Sequence, residues 1–200
     1  MNTMHRTLRG LALLALAASA CLSQAAPVVS VSPATQTINV GGPASIDINV
    51  SGLTQALGGF QFVLGFNNSF LSSFGFTPNP DNKMGASPLD LSGGFVGGSL
   101  DVFYLADLVD TELALATAQG ASFRLATVSF TGLADGLSPL TLSGVALSNF
   151  TGGATVQGVT TQNGQICVGG NCVNVVPEPT TMLLVATALG ALALRRRQAA

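Results

Sequence analysis

The chain has 200 residues with 7 Lys/Arg, 9 Asp/Glu, a single histidine and no tryptophan. Five of the seven cations lie in the first nine or last six residues. Residues 26–175 therefore hold only Lys83 and Arg124 against eight carboxylates, a net charge near −6. Such a surface repels nucleic-acid phosphate. The lone His5 sits in an N-terminal leader, which excludes histidine triads, histidine general bases and His-ligated zinc from the rest of the chain.

His5, Arg6 and Arg9 form a positive region, residues 11–20 are apolar, and Ser23-Gln24-Ala25 gives a small-x-small cleavage site. This pattern predicts a signal peptide over residues 1–25 and an exported chain. Cleavage after Ala25 avoids placing Pro27 directly behind the scissile bond.

The next 150 residues or so are the size of one domain. Short extended segments recur with turn signals between them. Strands are predicted at 28–31 and 37–40, the second ending in Gly41-Gly42-Pro43. Residues 45–50 alternate, with Ile46, Ile48 and Val50 on one face and Asp47 and Asn49 on the other. Residues 59–66 alternate again and place Phe60, Phe62, Leu64 and Phe66 in a core. Residues 70–98 are loose, with a short strand near 74–77 and an excursion over 78–92. A strand follows at 101–105, then a helical turn or two within 108–119. The long strands are 122–131 and 140–147, and segments at 156–159 and 165–175 finish the domain.

The apolar phase switches within both long strands. Phe123 and Leu125 are out of step with Val128 and Phe130, as are Leu140 and Leu142 with Val145 and Leu147. Gly144 offers a bulge site in the second. Such switches suit strands that change sheets at a sandwich corner. Eight or nine short strands with little helix predict an all-β antiparallel sandwich or jelly roll.

Cys167 and Cys172 are the only cysteines left after the leader is removed. With Gly169-Gly170 between them they read as a hairpin in which positions 168 and 171 pair. Cys167 and Cys172 would then face each other and form a cross-strand disulfide, as export permits. Two thiols without histidine do not make a closed zinc site.

Asp101, Asp107, Asp110 and Glu112 cluster within twelve residues. Their carboxylates are candidates for a Ca²⁺ site, although the spacing fits no EF-hand loop; the plainer reading is a solvated acidic loop. No other cofactor is indicated. Asp81-Asn82-Lys83 reads as a turn. No phosphate-binding loop motif occurs, and an enzyme is not expected. The alternative is a secreted carbohydrate-active enzyme using an Asp/Glu pair such as Asp101 and Asp107. Against it, sugar clefts lean on aromatic platforms, and the chain offers only Tyr104 besides its phenylalanines.

Pro177 and Pro179 flank Glu178 and stop regular structure. Residues 180–194 are uncharged and reach roughly 22 Å as a helix, a marginal span for a hydrocarbon core of about 30 Å. Arg195, Arg196 and Arg197 close the run and stay on the cytoplasmic side.

Val176-Pro177-Glu178-Pro179-Thr180, a short apolar helix and a terminal arginine cluster together resemble the PEP-CTERM sorting signal of Gram-negative bacteria, over residues 176–200. The resemblance implies recognition by an exosortase, a membrane-embedded cysteine protease that cuts near the Pro-Glu-Pro motif. It also implies transient inner-membrane anchoring, then transfer to the cell surface or an exopolysaccharide matrix. A second resemblance lies within residues 26–175. Val29-Ser30-Val31-Ser32-Pro33 with Val40-Gly41-Gly42, the segment from Gly59 to Asn67, and Leu125 to Phe130 are similar to cohesin domains. Phe66-Asn67-Asn68 stands where that family tends to have Tyr-Asp-Pro. The expected role is a non-catalytic adhesion or partner-binding module, its partner an exopolysaccharide or another surface protein.

Overall fold

The computed structural model describes residues 26–170 and Cys172. The signal peptide, the sorting motif and the anchor helix expected from the sequence lie outside these residues. Pro33 divides the first extended segment into β1 (Val28–Ser32) and β2 (Thr35–Ile38), and the two halves enter different sheets. Then follow β3 (Pro43–Ser51), β4 (Leu57–Gly65), β5 (Leu71–Pro78), β6 (Leu89–Asp90), β7 (Gly94–Val96) and β8 (Ser99–Leu105). Helix α1 (Glu112–Gln119) precedes β9 (Ser122–Gly132), β10 (Gly136–Asn149), β11 (Thr160–Gln162) and β12 (Gly164–Val168).

One sheet has the order β11-β1-β3-β9-β5. The other runs β2-β12-β10-β4-β8-β6, with β7 also on β8. Most pairs are antiparallel, as expected, but β1 with β11 and β2 with β12 are parallel. The end of the domain thus runs alongside its beginning, and both segments change sheets side by side. Gln165 N–H donates to Ala34 C=O there (2.9 Å). A Cβ at Gly164 would lie 2.7 Å from the Val31 side chain, so only glycine fits this crossing.

The two alternating strands bury the faces that their periodicity dictates. Ile46, Ile48 and Val50 meet Phe60, Phe62 and Leu64 across the interior, all essentially inaccessible. Phe66 bridges the sheets, with its ring 5.1 Å from Phe130 and 6.1 Å from Phe95. Tyr104 is buried against Phe60 at 5.6 Å and offers no surface platform.

Helix α1 starts where the Thr111 hydroxyl accepts from Ala114 N–H, and Gly120 ends it. Leu115 and Gln119 face inward. Gln119 accepts from Leu57 N–H (2.7 Å) and donates to Leu57 C=O (3.0 Å), so a buried polar group is satisfied by strand backbone.

Several expectations need correction. The phase switches mark bulges and not changes of sheet. In β9 the register skips Leu125, between Arg124 opposite Asn49 and Ala126 opposite Ile48. In β10 it shifts between Ser143 and Ala146, around Gly144 (φ 58°). Each strand stays in one sheet because the extra residue restores the inward phase locally. Residues 156–159 are not a strand; the pairing lies at β11 instead, where Val28 meets Thr160. The last strand ends at Val168 and has no hairpin partner on its C-terminal side among the described residues. Val168 already pairs with Gly136 on one side and Ile38 on the other, so neither edge is free. The loose segment after β5 holds the short β6 and β7.

Phe130→Ala is expected to lower unfolding free energy by about 3–5 kcal/mol, the range for an emptied aromatic site. Phe74→Ala, at a surface position, should change it by no more than about 0.5 kcal/mol. Urea denaturation of the two variants beside the parent checks both.

Candidate functional site

Strand β10 runs the length of its sheet, from Gly136 beside Val168 to Asn149 opposite Leu57. Fourteen residues at about 3.4 Å each make this roughly 45 Å. The Gly136 pole carries the chain exit. There Cys167 and Cys172 are joined as a disulfide with Cα atoms 5.7 Å apart. Gly169 turns the chain (φ 76°), and a Cβ on it would strike the Asp135 carboxylate at 2.1 Å. Its N–H donates to Ile38 C=O (2.8 Å). The disulfide thus clips a turn that comes after a central strand, where a hairpin was expected.

The four acidic residues are not brought together as one set, although Asp107 and Asp110 both lie against Gly85. Among the described residues, no three of His, Cys, Asp or Glu lie close enough to hold a metal ion. Asp101 points outward near the start of β8, beside Gly93. The Asp107 carboxylate accepts from Ser87 N–H and Val109 N–H (both 2.9 Å) and so ties its own loop to the segment between β5 and β6. Asp110 lies against Gly85, and Glu112 accepts the Thr151 hydroxyl. Asp101 on β8 and Glu112 at the start of α1 thus stand apart from Asp107 and Asp110, and the expected Ca²⁺ quartet does not form a single ligand set among the described residues. For the same reason, Asp101 and Asp107 stand apart by about the length of β8, roughly 15–20 Å. A glycosidase pair needs about 5–9.5 Å.

Other features are placed by the fold and were not found from sequence. The outer face of the five-stranded sheet carries Asp47 and Asn49 of β3 beside Arg124 and Thr127 of β9. Arg124 Nε donates to Asp81 Oδ2 (3.0 Å), its Nη2 to Asp81 Oδ1, and its Nη1 is 3.6 Å from Asp47 Oδ2. The Thr127 hydroxyl donates to Asp47 Oδ1 (2.6 Å). The guanidinium's hydrogen bonds hold the Asp81 carboxyl below its ordinary range, and the same bonds raise the pKa of Arg124. Asp81 is thus the anchor of a bidentate pair between the loop after β5 and β9. The only hint in the sequence was that Arg124 is one of two cations among so many carboxylates.

Farther along the same sheet an open cleft of about 470 Å³ is lined by Gln36, Pro43, Ser45, Phe74, Ser129 and Thr131, with Ala44 and Phe130 beneath. Its rim includes Phe74, whose side chain is 84% exposed. At the pole opposite the chain exit, Leu108, Val109 and Leu113 project into solvent. Among the described residues no helix is long and apolar enough to cross a membrane.

The comparisons with known proteins agree with this layout. Residues 175–197 match the PEP-CTERM protein-sorting motif, which marks an exported chain for exosortase sorting. The β-sandwich has the cohesin fold. It resembles a non-cellulosomal cohesin from the archaeon Archaeoglobus fulgidus, with TM-score 0.55 and 17% identity, over 73% of this chain and 93% of that one. The seventh ScaB type I cohesin of Pseudobacteroides cellulosolvens gives 0.56 and 14%, over 74% and 96%. The third ScaC cohesin of Acetivibrio cellulolyticus, in complex with a dockerin, gives 0.55 and 12%, over 72% and 99%. No curated protein matches in sequence.

Because Asp81 has a lowered folded-state pKa, its pair with Arg124 stabilises the fold above the ordinary carboxylate range. That contribution is lost as pH falls through the folded value. Asp81→Asn should therefore lower the melting temperature slightly at pH 7 and remove part of the fall seen below pH 4, in scans at low salt. Non-reduced intact mass should be two daltons below the reduced mass, and reduction should cost about 2 kcal/mol or less, since the closed loop is short.

Proposed function

We propose that the chain is a non-catalytic exported protein of a Gram-negative envelope. Its tail is recognised and cut by an exosortase, and its cohesin-like sandwich acts as a partner-binding module at the cell surface or in the extracellular matrix. The observation that carries this reading is the sorting motif, which begins at residue 175, three residues beyond the disulfide-clipped Cys172. A folded domain that ends at a covalent clip leaves the residues beyond it as a short tether. Pro177 and Pro179 disfavour helix and central strand on either side of Glu178, which suits a protease site.

The geometry favours display. The tether leaves from the Gly136 pole, so the opposite pole, with α1 and the exposed Leu108, Val109 and Leu113, faces away from the membrane while the tail is anchored. The two sheet faces stand beside it. A cohesin of this fold is known bound to a dockerin, which supports a macromolecular partner here as well. Phe66-Asn67-Asn68 departs from the family's usual Tyr-Asp-Pro, so the partner need not be a dockerin. The dispersal of Asp101 and Asp107 argues against hydrolysis.

Intact-mass spectrometry of the protein from host envelope and medium tests the sorting step. The expected mature form begins after Ala25 and lacks the residues beyond the Pro177–Thr180 region. Glu178→Ala or Pro177→Ala should shift the protein into the membrane fraction with its arginines retained. A wild-type chain still ending in Arg195-Arg196-Arg197-Gln198-Ala199-Ala200 would refute exosortase cleavage.

A further inference from the structure

We infer that the cleft around Phe74 is a binding site for a neutral saccharide. This deepens the adhesion reading and rests on it for the location of the site outside the cell. Three observations converge.

The first is the ring itself. The register of β5 against β9 slips between Ser73, opposite Phe130, and Gly75, opposite Ser129. Phe74 is the extra residue, and the bulge turns its side chain out of the core into solvent. A large aromatic that is 84% exposed on an otherwise polar sheet face is poorly placed for stability. An aromatic face presented to water is, however, a platform for the C–H face of a sugar ring. Beside it, a Cβ built on Gly75 meets nothing within 4 Å, so a flank of the ring is open.

The second is the cleft's chemistry. All its lining side chains are uncharged. The hydroxyls of Ser45 and Ser129 stand on cross-strand partners, and Thr131 pairs with Pro43 one step along. These groups both donate and accept, as sugar hydroxyls do. Gln36 adds part of an amide side chain to the lining. Phosphate or carboxylate ligands would find no cation here, and a purely aliphatic ligand would strip water from the hydroxyls without replacing it.

The third is size and origin. About 470 Å³ falls in the usual range for small-ligand clefts, roughly 300–1,000 Å³. The space exists because β1 leaves the sheet at Ser32, opposite Asp47, so β3 from Pro43 to Ile46 has no strand on that side. Gln36 enters the cleft from the other sheet.

The test is native electrophoresis of the full chain in mild detergent, through gels containing hydroxyethylcellulose, dextran, galactomannan or, for contrast, the acidic polysaccharide alginate. Retardation by at least one neutral polymer is expected. Phe74→Ala should weaken it roughly tenfold, judged from mobility against polymer concentration, and Phe74→Tyr should restore it. Equal mobility of all variants in polymer-free gels shows that the fold is intact. Absence of retardation in every neutral gel, retardation by alginate alone, or undiminished retardation of Phe74→Ala would each overturn the proposal. None of these outcomes touches tail cleavage. Conversely, an uncut tail with a Phe74-dependent shift would refute the sorting reading and leave the saccharide site standing.

Discussion

The shape of the molecule depends on its first and last strands changing sheets together. β1 and β11 lie parallel in one sheet, and β2 and β12 lie parallel in the other. The crossing between them is tight enough that Gly164 admits no side chain next to Val31. Parallel pairing of the chain ends is non-local and carries a larger loop-closure cost than the hairpin contacts. Once closed, it covers the outer edges of β1 and β12 and leaves only the short β11 and β2 as edges on that side. It also decides where the chain leaves. β12 is held on both sides, and the disulfide fastens Cys172 beside it, so the sorting tail starts from a rigid point.

That same crossing opens the outer surface. β1 ends before it covers the start of β3, and Gln36 fills the gap only in part. The result is a polar sheet face with a notch at one end and the Arg124–Asp81–Asp47 group at the other. Side-chain hydroxyls and amides occupy most positions between them. At the notch the lining is uncharged and offers hydrogen-bonding groups.

The acidic residues teach the opposite lesson. Asp107 looks available in a sequence and is in fact engaged by two backbone N–H groups, one in its own loop and one in the segment between β5 and β6. Asp101 is turned away by the pleat of β8. Nearness in sequence does not survive an extended strand, in which six residues cover roughly 20 Å. The four carboxylates add to the negative charge of the domain, which needs no convergence.

The sequence by itself determined the sorting motif at residues 175–197, because such a motif is a linear order of residues and needs no neighbouring strand to be read. It also determined the buried faces of β3 and β4, since Ile46-Ile48-Val50 and Phe60-Phe62-Leu64 follow the pleat. Gly144 already marked one of the two bulges. The tertiary structure alone decided that Phe74 is outside while Phe76 is inside, because a single unpaired residue in a register cannot be seen in the spacing of apolar residues. It likewise decided that Arg124 meets Asp81 across 43 positions and that residues 165–168 are a central strand. Each of these depends on which strand lies alongside, and local periodicity carries no record of that neighbour.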